Sequence, residues 1–216
     1  MRDWSRRRLV ITAGPTREHL DPVRYLSNES SGRMGWALAE TAHKRGARVT
    51  LVTGPTSFPD PKGVTVIRVV NARDMLAATR KAAHHAHAVI GAAAVADWRP
   101  HRVSRTKLKK RSTAPVIRLV ANPDILATLS KERRGPFPRM AGFALESNNL
   151  LANAQEKMRL KNLDLVVANS PRALGSVRTR AILIQTGRPP HRFSGDKKRL
   201  ADLILSNLLE GIRSHD

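Results

Sequence analysis

Short apolar segments alternate with stretches of helical periodicity along most of the chain. Apolar runs predict strands at residues 8–13, 48–53, 64–69, 88–93, 116–120, 139–145, 163–169 and 181–185. Amphipathic periodicity predicts helices at about residues 32–45, at 72–85, from 123, at 149–161 and at 197–212. Because strands that alternate with helices form βαβ units, we predict one α/β domain over residues 1–216. It should be a Rossmann-like three-layer fold with a mostly parallel central sheet and a short C-terminal extension.

Small polar residues come directly before the first predicted helix, in the segment YLSNESSGRMGWALAE (25–40). Ser30 or Ser31 can cap this helix by accepting a hydrogen bond from one of its free N–H groups. Capping requires one such side chain, whereas this segment carries several hydroxyl and amide groups. Gly32 and Gly35 also leave the helix N-terminus open, and such an end binds anions. The surplus indicates a ligand, and a cap with a tight turn is the structural alternative.

Ligands of open parallel sheets bind at the carboxyl ends of the strands, which points to the loops 14–31, 94–114 and 146–148. The second of these is rich in Arg and Lys, and no Asp or Glu occurs from Trp98 to Asn122. Like charges repel, so we predict that residues 98–114 form a mobile basic flap. Pro123 follows and is predicted at the first position of the third helix.

The net charge narrows the choice of partners. The 216-residue chain has 39 Lys and Arg against 17 Asp and Glu, a formal net charge of +22. Such a chain attracts polyanions, either nucleic acid or a phosphate-rich substrate, although a generally basic surface is an equal alternative. The few aromatic residues are scattered, which argues against a platform for base stacking. The absence of cysteine excludes disulfides, cysteine-ligated metals and thiol chemistry on the protein.

Several common sites and signals are missing. No apolar run suits a transmembrane helix or a signal peptide, so we predict a cytoplasmic protein without a membrane partner. The first loop, AGPTREHLDP, lacks G-x-G-x-x-G, the second strand ends in LVTGP without an acid for a ribose, and no Walker motif occurs. The segment HHAH (84–87) suggests metal binding, but it lies at a helix end away from the ligand loops. We therefore predict no metal site.

Six motifs nevertheless occur together in a familiar order. They are ITAGPTREHLDPVRYLSNESSGRMG, TLVTGP, GAAAVADWRP, KLKK, NPDIL and EKMRLKNLDLVVAN. In order and spacing they closely resemble the phosphopantothenoylcysteine synthetase family, also called phosphopantothenate–cysteine ligase, of coenzyme A biosynthesis. The resemblance covers about residues 9–169 and continues more loosely to the end. Each motif alone is weak, but six in register are specific.

The resemblance implies a two-step reaction. The carboxylate of phosphopantothenate attacks a nucleoside triphosphate, and pyrophosphate leaves. The expected nucleotide is CTP in preference to ATP, with Mg²⁺ bound to the triphosphate. The amine of cysteine then displaces the nucleotide from the acyl-nucleotide. The family also implies a homodimer. The flavin-dependent decarboxylase that often precedes this domain is missing, so we predict neither flavin nor decarboxylation, and nucleic acid is not an expected partner.

The resemblance also assigns roles to residues. Asn28 should contact the acyl carbonyl and Lys107 should reach the triphosphate from the flap, which makes these two the catalytic residues. Arg24 should bind the substrate phosphate together with Ser30, Ser31 and Gly32. The remaining matches to nucleotide-binding positions are Gly91, Ala92, Ala93, Asp97, Pro123, Asp124, Ile125, Leu126, Phe143, Lys157 and Lys161. The last two are four residues apart on one helix, so their like charges repel until an anion binds.

Simpler interpretations and departures from the family remain open. Asp97 can be a turn residue, Phe143 a core residue, and the basic residues 109–111 only solvated. Arg33 and the segment FALES replace the usual Lys and F-A-x-E-T, and Val177 and Thr179 replace the usual Asp and Asn.

Two other functions also remain open. One is a basic nucleic-acid-binding protein on a retired ligase fold, and the other is a related nucleotide-dependent enzyme with another acid substrate.

Overall fold

The computed structural model describes residues 4–110, 116–146, 148–170 and 178–213. The strands in this part are β1 (Arg8–Ala13), β2 (Arg17–His19), β3 (Tyr25–Ser27), β4 (Arg48–Thr53), β5 (Thr65–Arg68), β6 (Ala88–Gly91), β7 (Trp98–Pro100), β8 (Leu119–Ala121), β9 (Arg139–Leu145), β10 (Leu165–Asn169), β11 (Arg178–Gln185) and β12 (His191–Asp196). The helices are α1 (Arg33–Lys44), α2 (Ala72–Ala83), α3 (Ile125–Glu132), α4 (Leu150–Leu160) and α5 (Lys197–Arg213).

The main sheet has the order β12-β11-β10-β9-β6-β1-β4-β5. The strands from β10 to β5 in this order pair in parallel, while β11 pairs antiparallel with both β10 and β12. The prediction of an α/β fold with a mostly parallel sheet is therefore confirmed. Since β12 runs in the same direction as β10, helix α5 begins at the same sheet edge as helix α1.

Helices cover both faces of this sheet. In β1, Leu9 and Ile11 pack with α1 and α5, whereas Val10 packs on the opposite face with α2, α3 and α4. This alternation follows from the two-residue period of a strand. Removing these apolar side chains from water is the main stabilising term for the three layers.

Glycine determines how α1 sits on the sheet. A Cβ atom on Gly35 would lie 2.3 Å from Cβ of Ala13, so this glycine allows α1 to pack directly against the end of β1. The cap position is Gly32, with φ 77° and no side chain. Neither Ser30 nor Ser31 therefore occupies the N-cap position. The Ser31 hydroxyl nevertheless accepts a free helical N–H, that of Arg33 at 3.4 Å, as predicted, and the Ser30 hydroxyl accepts the N–H of Gly32 at 3.3 Å.

Helix α3 also starts two residues later than predicted, at Ile125 instead of Pro123. Its N-cap is Asp124, whose carboxylate accepts the N–H of Ala127 at 2.9 Å. Pro123 precedes the cap and is not the first helical residue. An Asp side chain can satisfy a free helical N–H, and this decides where the helix begins.

Two small antiparallel sheets lie outside the main one. Strand β2 pairs with β3, and β7 pairs with β8. The predicted strand 116–120 therefore begins later and does not join the main sheet, and part of the predicted flap is strand. Three-residue strands are too short for periodicity to reveal, and the largely polar edge strand β12 was missed for a similar reason. The part of the flap at 111–114 lies outside the described residues.

Candidate functional site

Two adjoining cavities open at the carboxyl ends of the parallel strands. The first has a volume of about 460 Å³ and the second about 190 Å³. They share the lining residues Ala93, Val95, Asp97, Phe143 and Lys157, so they form one continuous site. This is the edge at which open α/β sheets bind ligands.

Most of the sequence-predicted site residues meet here. Those in the first cavity are Asn28, Ser30, Ser31, Gly32, Ala92, Ala93, Asp97, Phe143 and Lys157. Those in the second are Gly91, Ala93, Asp97, Pro123, Asp124, Ile125, Leu126, Phe143, Lys157 and Lys161. Residues 28–32, which we call the serine-rich loop, thus face the first cavity, and the start of α3 faces the second. Arg24 and Lys107 line neither cavity.

Asn28 connects the serine-rich loop to the segment after β6. Its side-chain amide donates to the carbonyl oxygens of Ala94 and Val95, at 3.2 and 3.1 Å. Pro15 and Ala94 also form a parallel bridge just beyond β1 and β6. A substrate that accepts a hydrogen bond from the Asn28 amide would replace one of these two bonds. The side chain is exposed, so such an exchange is sterically possible.

Lys157 on α4 and Lys161, the C-cap residue of this helix, line the second cavity together with other predicted nucleotide-binding positions. Lys157 donates to the carbonyl oxygen of Phe143 at 2.8 Å, and Lys161 forms an ion pair with Asp124. Burial and the charge of Lys161 lower the pKa of Lys157, although Asp124 and other acids act in the opposite direction. The predicted repulsion between the two lysines is thus partly offset by Asp124. An anion in the cavity would stabilise both ammonium groups further.

Other predicted positions have a structural role as well as a place in the site. A Cβ atom on Gly91 would lie 2.6 Å from Cδ1 of Leu126, so packing alone favours glycine there. Phe143 is half-buried against the core and also lines both cavities, which supports both of its interpretations. The exposed Asp97 likewise lines both cavities, and its backbone carbonyl accepts the N–H of Asn122 at 2.8 Å.

Arg24 and the flap are joined by a buried carboxylate that sequence reasoning missed. Asp21 has no exposed surface, and it accepts the backbone N–H groups of Val23 and Arg24 at 2.8 Å and of Leu108 at 3.1 Å. The Arg24 guanidinium donates to the same carboxylate and to the Leu108 carbonyl oxygen, both at 2.6 Å. We call Asp21, Arg24 and Leu108 the clasp. It holds Leu108, the residue next to Lys107. The sequence signal that could have revealed Asp21 is the Asp-Pro pair in LDPVR, since Asp-Pro is typical of turns.

Loss of the clasp should loosen the flap. Burial raises the pKa of Asp21. The N–H groups of Val23 and Leu108 and the Arg24 guanidinium together lower it by a larger amount, so the net shift is downward. A lowered pKa stabilises the fold above the ordinary Asp pKa, and this contribution is lost as the pH falls below about 4. We expect Asp21→Asn to melt earlier than the wild type at neutral pH, with a difference that shrinks in acid. Proteolysis within residues 101–110 should also be faster.

Asp60→Asn is the matched control, because Asp60 pairs with Arg68 at an exposed site away from the flap. Equal cleavage of the flap in the wild type and Asp21→Asn would contradict this role of the clasp.

The histidines near the end of α2 do not form a metal site in the part of the chain that the structure describes. The His84 and His85 rings contact each other at the end of α2, with Nδ1 and Nε2 3.1 Å apart, and His87 accepts the N–H of Arg8. In the described ranges, no three or more His, Asp or Glu side chains are grouped so that they could hold a metal ion. No helix there is both long and apolar enough to cross a bilayer.

The fold and the cavities define an α/β domain with a ligand site at the carboxyl edge of its sheet. The model of the DNA/pantothenate metabolism flavoprotein C-terminal domain matches residues 4–212. The chain therefore belongs to this family, and the resemblance found in the sequence is confirmed.

Individual relatives agree with the family match. The chain is 48% identical over 166 residues to the coenzyme A biosynthesis bifunctional protein CoaBC of Escherichia coli K12, covering 74% of this chain and 40% of that protein. It is 40% identical over 204 residues to CoaBC of Borreliella burgdorferi, covering 94% and 52%. A crystal structure of the C-terminal domain of CoaBC superposes with a TM-score of 0.84 at 36% identity, covering 98% of both chains. The chain thus spans about half or less of the length of these curated relatives.

Proposed function

We propose that the protein is a ligase that joins phosphopantothenate to cysteine through an acyl-nucleotide, as a step of coenzyme A biosynthesis. The observation that carries the proposal is the pair of hydrogen bonds from Asn28 to Ala94 and Val95. Through these bonds the loop proposed to hold the acid contacts the segment proposed to hold the nucleotide. The names of the relatives, which refer to coenzyme A biosynthesis, agree with this assignment.

In the proposed first step, a carboxylate oxygen of phosphopantothenate attacks the α-phosphorus of the triphosphate, and the bond to pyrophosphate breaks. The protein supplies position and charge for this step. Lys157 and Lys161 bring positive charge to the wall shared with the nucleotide positions. The N-terminus of α1 directs backbone N–H groups towards the serine-rich loop, which suits negatively charged oxygen atoms.

In the second step, the amine of cysteine attacks the acyl carbon. The bond to the nucleotide breaks, the nucleoside monophosphate leaves, and the amine proton passes to solvent. Asn28 would donate an N–H to the acyl oxygen as negative charge develops on it. No nucleophile from the protein is required, which agrees with a chain that lacks cysteine.

We further propose that CTP is preferred to ATP and that Mg²⁺ enters with the triphosphate. The preference for CTP rests on the resemblance to the family found in the sequence. The experiment is pyrophosphate release measured with each nucleotide, with phosphopantothenate present or omitted. A cytoplasmic location is proposed with the pathway.

We also propose a homodimer. The two small sheets contact each other through β2 and β7. They and the segment that joins β2 to β3 carry exposed apolar side chains, including Val23, Tyr25, Trp98 and Leu119. Exposed apolar patches of this kind mark protein interfaces. A second copy of the chain would cover them around an axis of symmetry.

Trp98→Ser should therefore weaken the dimer. Trp98 is 55% exposed, and a large aromatic residue at the centre of an interface typically contributes about 2 kcal/mol or more, a shift of roughly thirtyfold in the dissociation constant. The mass is measured by light scattering over a range of protein concentrations. Leu160→Ser, on the exposed side of α4, is the control and should not change the mass. A monomeric wild type would contradict this proposal.

A further inference from the structure

One corner of the first cavity carries two cationic side chains that have no role in the reaction as described above. Arg33 begins α1 and Lys197 begins α5, and both side chains line the cavity. Burial, and then the charge of Arg33, lower the pKa of Lys197, so the two cations lie close enough to act on each other. Because α1 and α5 start at the same edge of the sheet, their N-termini add partial positive charge to this corner.

A buried hydroxyl faces the same corner. Thr179 is only 5% exposed, lines the first cavity, and lies on the face of β11 that carries Ala181, towards α1 and α5. Its Oγ1 atom is buried and has no hydrogen-bond partner among the residues that the structure describes. A buried hydroxyl without a partner is destabilising, so such a group in a cavity indicates a ligand that completes it.

The rest of the cavity lining limits the nature of that ligand. Met34 and Leu200 give the corner apolar sides, and the acids of the cavity, Glu29 and Asp97, are both exposed. Two cations, one hydroxyl and apolar sides suit a small oxyanion with a short carbon chain. The triphosphate has Lys157 and Lys161 at the other wall, so this corner is available to a different substrate.

We propose that Arg33, Lys197 and Thr179 form a subsite for an anionic group of a substrate, in first place the carboxylate of the amino acid that supplies the amine. This inference rests on the proposed function. A carboxylate held here would orient the amine towards the part of the cavity that contains Asn28. The phosphate of the acid substrate is the other source of the same chemistry, and the experiment distinguishes the two.

The experiment compares Lys197→Gln and Thr179→Val with Lys198→Gln. Lys198 is the next residue on α5, is exposed and does not line the cavity, which makes it a matched control. Steady-state rates are measured with cysteine and with cysteamine, which lacks the carboxylate. Pyrophosphate release without cysteine is measured with phosphopantothenate and with pantothenate, which lacks the phosphate.

We expect Lys197→Gln to raise KM for cysteine about tenfold, as for loss of one charge-assisted hydrogen bond, and to leave cysteamine unaffected. Thr179→Val should raise KM for cysteine several-fold without lowering the melting temperature, since the methyl group replaces an unpaired hydroxyl. A purely structural role for Thr179 would not produce that combination. If KM rises for phosphopantothenate but not for pantothenate, the subsite is supported and its occupant is the phosphate.

Two results would overturn the subsite. The first is that Lys197→Gln has the same kinetic constants as Lys198→Gln with all four substrates. The second is that Lys197→Gln loses equal activity with cysteine and with cysteamine, while its pyrophosphate release is unchanged. In both cases the wild type is active, so the proposed function stands. A wild type that releases no pyrophosphate with phosphopantothenate and either nucleotide would refute the proposed function, and the subsite with it.

Discussion

Asn28→Asp should slow the second half-reaction of the proposed ligase by on the order of a hundredfold and let the acyl-nucleotide accumulate. The amide of Asn28 donates to the carbonyl oxygens of Ala94 and Val95, and an ionised Asp side chain can only accept. The variant would therefore repel both carbonyl oxygens as well as the oxyanion that develops on the acyl group. The first half-reaction should be less affected, because the other residues that line the cavity remain in place.

The measurement is a rapid-quench experiment that follows pyrophosphate, acyl-nucleotide and amide product separately. Asn207→Asp is the matched control, since its amide also donates to a backbone carbonyl, that of Leu203 at 2.8 Å, but lies on α5 outside both cavities. Near-normal turnover of Asn28→Asp, or the same loss in both variants, would contradict the proposed role of Asn28.

Lys107→Gln should weaken the activation step by roughly tenfold to a hundredfold, as expected for loss of a charge-assisted contact with phosphate. Lys107 is exposed, and its neighbour Leu108 is held by Asp21 and Arg24, so the clasp can set the position of this lysine relative to the cavities. Lys110→Gln removes the same charge from an exposed position three residues later. It should change little, because a solvated charge acts through a screened field.

The same pair of variants separates the ligase from the nucleic-acid alternative suggested by the charge of +22. If the protein binds nucleic acid through its basic surface, both lysines should contribute equally to DNA affinity. Each substitution would then remove about one phosphate contact and lower the slope of log affinity against log salt concentration by about one. Equal small losses of ligase activity in the two variants would contradict the assignment of Lys107.

The main sheet could be predicted because its strands are runs of apolar residues bounded by polar ones. RLVITA, RVTLVT and RMAGFAL, for example, become β1, β4 and β9 with the predicted boundaries. Most of the candidate site could be predicted for a different reason. Its residues follow strands whose carboxyl ends meet at one edge, and the resemblance to the family identified them by position.

The remaining features depend on contacts between distant parts of the chain. Asp21 and Leu108 are 87 residues apart, and no local pattern connects them. The meeting of Arg33 with Lys197 likewise depends on the packing of α1 against α5, to which the ion pair of Arg45 with Asp202 contributes. Thr179 could be identified only as a departure from the family, since its burial and unpaired hydroxyl are properties of the folded chain.

The most direct test of the proposed ligase is pyrophosphate release from CTP or ATP, measured with phosphopantothenate, first without cysteine and then with it. We predict no release without phosphopantothenate, a burst when it is added, and sustained turnover with amide formation once cysteine is present. DNA affinity is measured in parallel at two salt concentrations. Absence of phosphopantothenate-dependent pyrophosphate release with both nucleotides, together with tight, salt-sensitive DNA binding, would contradict the assignment.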